Sequence, residues 1–142
     1  MAGKASGEKF SVEERQVMKD RAAELKAAKK GEEAEADVLA KIAAIEDADR
    51  AIAENLHALM KDAVPGVPCK TWYGFPSYMN GKDIVVFFQP AAKFGARYGT
   101  LGFNHAAALD DGDAWPTSYA LTTWNDAVEK QVRALVTKAV GV

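Results

Sequence analysis

The chain has 142 residues, of which 49% are hydrophobic and 27% charged, a balance typical of one globular domain. Its 18 basic and 20 acidic residues leave a net charge of -2, which gives no support to binding of nucleic acid or of an anionic membrane. No apolar run approaches the ~20 residues that a bilayer crossing requires. No secretory leader pattern is present, and a single cysteine excludes an internal disulfide. We therefore expect a cytoplasmic protein.

The first residues predict a disordered tail followed by a polar helix. Residues 1–10 have no apolar run and are predicted to be disordered. Ser11 and Glu14 have the spacing of a capping box, which should begin the first helix, and Gly31 after two lysines should end it. This helix has a thin apolar stripe. We therefore expect residues 11–35 to form a helical extension at the start of the domain.

Two more helices are predicted before the chain becomes extended. The acidic run of residues 32–37 favours the start of the second helix over a metal site, because acids are favourable in a first turn. Asp47 or Asp49 is the expected cap of the third helix, which should end before Pro65. The apolar positions of these two helices recur at helical spacing and are expected to be buried: Val38, Leu39, Ile42, Ile45, Ile52, Leu56, Leu59 and Met60.

From Cys69 onward the pattern is that of strands. Gly74 and Pro76 indicate a bend between two short strands, and Asn80-Gly81 is typical of a two-residue hairpin turn. The apolar run Ile84–Phe88 does not alternate, which predicts a central strand covered on both faces.

The last third of the chain predicts two more strands and a helix. The segments 97–103 and 118–121 have strand composition, and Asn104 is expected to cap a short turn between them. The final helix has a clear apolar stripe and ends at Gly141. The element order predicts one α+β domain over residues 11–142, a mostly antiparallel sheet with N-terminal helices and a C-terminal helix packed on it.

No catalytic set of side chains can be assembled from the sequence, so we expect a protein without enzymatic activity. The only histidines are His57 and His105, and Cys69 is the only thiol. His57 adjoins the apolar stripe of the third helix, which favours a partly buried structural role. Cys69 is interpreted as a small core residue, because nothing in the sequence around Cys69 and His105 supports a catalytic dyad.

Aromatic residues with neighbouring cations give the main binding hypothesis. The rings are more numerous than a core of this size requires, and some could line a site for a small ligand or an anion. The candidate ligand-binding residues are Trp72, Tyr73, Tyr78, Lys93, Arg97 and Trp115. The alternative is that the rings are core and both cations are solvated.

Three carboxylates in four residues give a weaker metal hypothesis. Asp110, Asp111 and Asp113 could attract a hard cation, although the run lacks the ligand pattern of a calcium loop. A solvated aspartate turn explains the same residues without a metal.

The segment Lys70–Tyr78, with its Tyr-Gly-Phe-Pro bend before a hairpin, resembles the YdhG-like family of uncharacterised bacterial domains. The likeness continues through Phe87-Phe88, Lys93, Tyr98, Leu101-Gly102-Phe103, Trp115-Pro116 and the C-terminal helix. The resemblance thus covers residues 36–141, which it implies are the family core, with residues 11–35 as an extension. Phe75 stands where methionine is common in the family. The resemblance implies a frataxin-like two-layer sandwich, and one branch of the family is described as iron chaperones. Iron is thus the only cofactor implied, and it is implied by the resemblance alone.

Three hypotheses about function remain open at this point. The first is a non-catalytic binding domain for a small ligand or an anion near the aromatic cluster. The second is frataxin-like binding and delivery of iron. The third is an adaptor or homodimer that uses the first helix to contact a protein partner, so that the chain would be a monomer or a homodimer.

Overall fold

The computed structural model describes residues 11–141, and the predicted tail of residues 1–10 lies outside them. The chain divides into two units, residues up to 33 and residues from 34 onward. The division falls inside the first helix, α1, which spans Val12–Ala43. The division between the two units lies two residues before residue 35, the predicted end of the helical extension.

The start of α1 is the predicted capping box. The Glu14 N–H donates to Ser11 Oγ at 3.1 Å, and the Ser11 N–H donates to Glu14 Oε1 at 3.1 Å. These bonds hold the pKa of Glu14 below its ordinary value, the bond from the Ser11 backbone being the largest cause. The predicted helix end at Gly31 is wrong. A glycine costs about 1 kcal/mol inside a helix, and the alanine, lysine and glutamate residues around it are strong enough helix formers to continue through it.

The second helix, α2, spans Asp47–Ala63 and does not use a predicted cap. Its N-cap is Glu46, whose side chain makes no capping hydrogen bond. Asp47 and Asp49 instead lie inside the first turn, where the partial positive charge of the helix terminus favours acids. The buried face of α2 matches the predicted stripe and includes Ile52, Leu56, Leu59 and Met60.

Five antiparallel strands follow, and their order in the sheet is their order in the chain. The strands are β1 (Cys69–Trp72), β2 (Phe75–Asn80), β3 (Asp83–Gln89), β4 (Gly99–Phe103) and β5 (Ser118–Leu121). A 3₁₀ turn, Ala92–Phe94, lies between β3 and β4. The last helix, α3 (Asp126–Val140), starts with the Asn125 side chain accepting from the Val128 N–H and ends at Gly141, as predicted. The α+β prediction is confirmed.

One hairpin turn lies at the predicted bend, and the other is shifted by one residue from its predicted position. The predicted bend is a two-residue turn, Tyr73-Gly74, between the paired residues Trp72 and Phe75. The predicted Asn80-Gly81 turn moves on by one residue, since Asn80 pairs with Asp83 and therefore belongs to β2. Only the first turn residue, Gly81, then needs a positive φ (65°), which glycine adopts without steric cost.

The main core lies between the helices and one face of the sheet. Its largest fully buried side chains are Tyr78, Phe88, Ile52, Leu56 and Leu101. The C-terminal part of α1 contributes Val38 and Ile42 to this core, and α3 contributes Val132 and Val136. The predicted central position of Ile84–Phe88 is confirmed, because β3 is the middle strand. The predicted burial on both faces is incomplete, because Ile84 and Phe87 are only half-buried. No helix within residues 11–141 is long and apolar enough to cross a bilayer.

Candidate binding surface

The turn between β1 and β2 presents an aromatic ring to solvent. A two-residue turn of the favoured type needs positive φ at both central residues, and the φ values are 50° at Tyr73 and 81° at Gly74. Among the non-glycine residues that the structure describes, only Tyr73 has a positive φ. Asparagine or glycine fits this position at lower cost than a tyrosine. The Tyr73 side chain is nevertheless 76% exposed.

Three further rings lie behind Tyr73 on the sheet face opposite the helices. Paired residues share a face and neighbours alternate, so the pairs Trp72–Phe75 and Ser77–Phe87 place these rings on the side away from Tyr78. The Trp72 ring centroid lies 5.6 Å from that of Phe75 and 5.3 Å from that of Phe87, both edge-on. This geometry is favourable for aromatic pairs. Phe75 is buried, yet it is not part of the main core.

A glycine on the neighbouring strand makes room for this cluster. Phe87 pairs with Gly102, and the Phe87 ring lies directly over the Gly102 backbone, where any side chain would overlap it. The glycine is therefore required by close approach of the ring, since its backbone conformation is ordinary.

The 3₁₀ turn after β3 completes the surface. The Phe94 ring is 6.0 Å from that of Phe75 in an edge-on arrangement and is 47% exposed. Lys93 Nζ donates to the backbone oxygen of Tyr73 at 3.0 Å and so connects this turn to the β1–β2 hairpin. We call the five rings of this surface the aromatic platform: Trp72, Tyr73, Phe75, Phe87 and Phe94, with Lys93 at its edge.

The structure brings only half of the predicted ligand-binding residues together. Trp72, Tyr73 and Lys93 belong to the aromatic platform. Tyr78 faces the helices, and its hydroxyl contacts His57. Arg97 lies over the Tyr98 ring, 5.2 Å from its centroid, and lines a separate cavity.

Trp115 lies apart from the aromatic platform as well. It lines another cavity of about 400 Å³, together with His105, Asp110 and Asp113. All three aspartates of the predicted metal site are exposed. Within residues 11–141, no group of three or more histidine, cysteine, aspartate or glutamate side chains is arranged to hold a metal ion.

A series of hydrogen-bonded side chains on the helix side of the sheet accounts for the burial of the polar His57 side chain. The Glu35 carboxylate accepts from Lys61 Nζ at 2.7 Å and pairs with His57 Nε2 at 2.9 Å. With the proton on Nε2, Nδ1 of His57 accepts from the Tyr78 hydroxyl at 3.0 Å. Hydrogen bonding by Lys61, and next by His57, holds the pKa of Glu35 below its ordinary value. Sequence analysis missed Glu35 as the partner of His57, because no spacing rule joins residues on different helices.

The inner members of this series, His57 and Tyr78, are buried, whereas Glu35 and Lys61 reach the surface. Tyr78 is 2% exposed, and burial raises the pKa of its hydroxyl. Burial, and then the charge of Glu35, raises the pKa of the Cys69 thiol, which disfavours a reactive thiolate. Cys69 is in β1, whereas His105 follows β4, three strands away in the sheet and thus roughly 14 Å distant. The hydrogen bonds of Glu35, Lys61, His57 and Tyr78 stabilise the packing of α2 and the C-terminal part of α1 on the sheet.

The fold and the surface define a class: an α+β domain whose antiparallel sheet carries helices on one face and an aromatic platform on the other. A scan against protein-family models, a search of curated proteins and a search of solved structures find no match for the chain. The resemblance to the YdhG-like domains therefore stays a sequence-based prediction.

Proposed function

We propose that the chain is a non-catalytic binding domain and that the aromatic platform takes a small molecule with an aromatic ring and a negative charge. Tyr73 is the observation that carries this proposal. Its positive φ costs about 1–2 kcal/mol for a residue with a side chain, and its ring is 76% exposed. Backbone strain at a residue whose side chain stays exposed is typical of functional positions.

The exposed rings favour a flat ligand. Tyr73 and Phe94 are the most exposed members of the aromatic platform, and both contact the buried ring of Phe75, with centroids at 6.5 Å and 6.0 Å. A ligand ring placed against Tyr73 and Phe94 would therefore gain contact with at least two aromatic faces or edges. Each such pair contributes about 0.5–1.5 kcal/mol beyond the burial of apolar area.

The positive charge of Lys93, at the edge of the aromatic platform, favours a ligand with a negative charge. An ammonium group has three N–H donors, and Lys93 uses one of them for the backbone oxygen of Tyr73. Its side chain is exposed, and two donors are left for an anionic group of the ligand. The bond to Tyr73 also restricts the Lys93 side chain, which lowers the entropy cost of binding.

The test uses anilinonaphthalene sulfonate, a fluorescent probe with both aromatic rings and a sulfonate. We expect saturable binding to the wild type, weaker binding to Tyr73→Asn, and weaker binding to Lys93→Gln. The Tyr73→Phe variant keeps the ring and should bind as the wild type does. Isothermal titration calorimetry gives the stoichiometry and separates one site from diffuse adsorption.

Tyr98→Asn is the matched control, because Tyr98 is another partly exposed tyrosine, at 36%, outside the aromatic platform. This variant should leave probe binding unchanged. Equal losses in Tyr73→Asn and Tyr98→Asn would show that the probe adsorbs to any exposed ring, and the proposed site would then be wrong.

The first unit supports a second candidate, self-association of two copies through α1. Val17, Met18 and Leu25 of this helix are each more than half exposed, and exposed apolar side chains on a helix are typical of contact with another helix. Light scattering should then give a dimer mass for the wild type and a monomer mass for the double variant Met18→Glu, Leu25→Glu. A monomer in both cases would remove this candidate.

A further inference from the structure

A buried carboxylate near the start of α2 lacks a full set of partners. Asp49 is 8% exposed, and its Oδ2 accepts from the Ala92 N–H at 3.1 Å. Within residues 11–141, Oδ1 has no hydrogen-bond donor and the carboxylate has no cationic partner. An ionised group buried to this extent is costly unless it is paired. Oδ1 of Asp49 can therefore accept a hydrogen bond from a ligand.

Asp49 lines a cavity of about 640 Å³ in the second unit. The start of α2 and its N-cap supply an acidic wall of Glu46, Asp47 and Asp49. The segment before β4 supplies Arg97, whose guanidinium lies over the Tyr98 ring, 5.2 Å from its centroid. Small apolar groups and Leu121 line other parts of the cavity. The cavity thus has an acidic side, a basic residue and an apolar lining.

The charged side chains of Arg97 and Glu46 in this cavity are available to a ligand. Among the described residues Arg97 forms no salt bridge, and neither does Glu46. Asp47 differs, because it pairs with Arg50 at 2.8 Å. A ligand with only a negative charge would be repelled by Asp49 and Glu46, and a ligand with only a positive charge would gain no ion pair from Arg97. Complementarity favours a ligand that carries both charges.

We propose that this cavity binds a free amino acid. The ammonium group donates to Oδ1 of Asp49 and to Glu46, the carboxylate accepts from Arg97, and the side chain lies against the apolar lining. Arginine suits the carboxylate because its guanidinium can make two parallel hydrogen bonds. The lining of this cavity contains none of the five rings of the aromatic platform and does not contain Lys93, so the two proposals are tested by different residues.

The test compares three probes by isothermal titration calorimetry on the full chain. They are L-leucine, isoamylamine, which lacks the carboxylate, and isocaproate, which lacks the ammonium group. We expect L-leucine to bind at least tenfold more tightly than either analogue. Absence of L-leucine binding, or equal affinity for L-leucine and one analogue, would overturn the proposal.

Two variants locate the site. Asp49→Asn keeps an oxygen that can accept from the Ala92 N–H but loses the charge, and Arg97→Gln changes an exposed side chain. Each should weaken L-leucine binding at least tenfold, whereas Tyr73→Asn, on the aromatic platform, should not change it. Because Arg97 is exposed, Arg97→Gln tests the site even if Asp49→Asn fails to fold. Full L-leucine affinity in Arg97→Gln would contradict the proposal.

Discussion

The replacement of Tyr73 by asparagine separates the stability of the domain from its binding function. Asparagine tolerates a positive φ much better than tyrosine does, so the substitution relieves about 1 kcal/mol of backbone strain. It also removes the ring contacts with Trp72, at 5.1 Å between centroids, and with Phe75, at 6.5 Å. Because both pairs are tilted and one is at long distance, we place their contributions in the lower part of the range for aromatic pairs, about 0.5–1 kcal/mol each.

The relief of backbone strain and the loss of the ring contacts nearly cancel in the free protein. In the complex with the probe, the variant also loses the contact between the Tyr73 ring and the probe. We expect the free energy of unfolding of Tyr73→Asn to stay within about 1 kcal/mol of the wild type, which corresponds to a change in Tm of roughly 4 °C or less. The affinity for anilinonaphthalene sulfonate loses one aromatic contact, about 1–1.4 kcal/mol, and should fall about fivefold to tenfold. Urea unfolding and fluorescence titration on the same samples measure both quantities.

Two outcomes would refute this reasoning. If Tyr73→Asn lowers the free energy of unfolding by more than about 2 kcal/mol, the ring is part of the structural packing and the strain is compensated there. If the variant keeps the affinity of the wild type, the exposed ring does not contact the probe. In either case the proposed role of Tyr73 would be wrong.

Three further predictions concern the interior. Gly102→Ala places a methyl group where the Phe87 ring lies and should cost about 1–3 kcal/mol in urea unfolding, whereas Gly31→Ala, which meets no atom within 4 Å, should not destabilise the helix. Because the pKa of Glu35 is lowered in the folded state, its ionised form stabilises the fold above the ordinary pKa of 4.5 and this contribution is lost as pH falls through the lowered value. The free energy of unfolding of Glu35→Gln should therefore be lower than that of the wild type at neutral pH, and the difference should disappear as the pH falls below the lowered pKa of Glu35; a constant difference would contradict this. Cys69, whose pKa is raised, should react with iodoacetamide more slowly at about pH 8 than glutathione does, and an equal rate would show that the thiol is neither buried nor perturbed.

Local sequence signals predicted the elements that depend on neighbours in the chain. The capping box of Ser11 and Glu14, the strand Ile84–Phe88 and the final helix ending at Gly141 were predicted in this way and are confirmed. The wrong predictions fall at positions where another local structure is almost as favourable as the predicted one. Gly31 is a good helix end, but continuing the helix costs only about 1 kcal/mol, and Asp47 is a good cap that lies one residue too late.

The candidate site could be predicted only in part, because it depends on register. Trp72, Tyr73 and Phe75 are close in sequence, so their cluster was visible before the fold was known. Phe94 comes from a distant turn, and only the pairing of the strands brings it to Phe75. Tyr78 is three residues after Phe75 in β2, so the alternation of side chains along the strand places it on the helix face of the sheet. Composition alone does not distinguish the two faces.

The most direct test of the aromatic platform is a nuclear magnetic resonance titration of the tryptophan indole N–H signals with anilinonaphthalene sulfonate. The chain has three tryptophans. Trp72 lies on the aromatic platform, Trp115 lines a separate cavity, and the Trp124 N–H is bonded to Glu129. We predict that the probe shifts the Trp72 signal and leaves the other two unchanged. A shift at Trp115 or Trp124 with no change at Trp72 would contradict the proposed site.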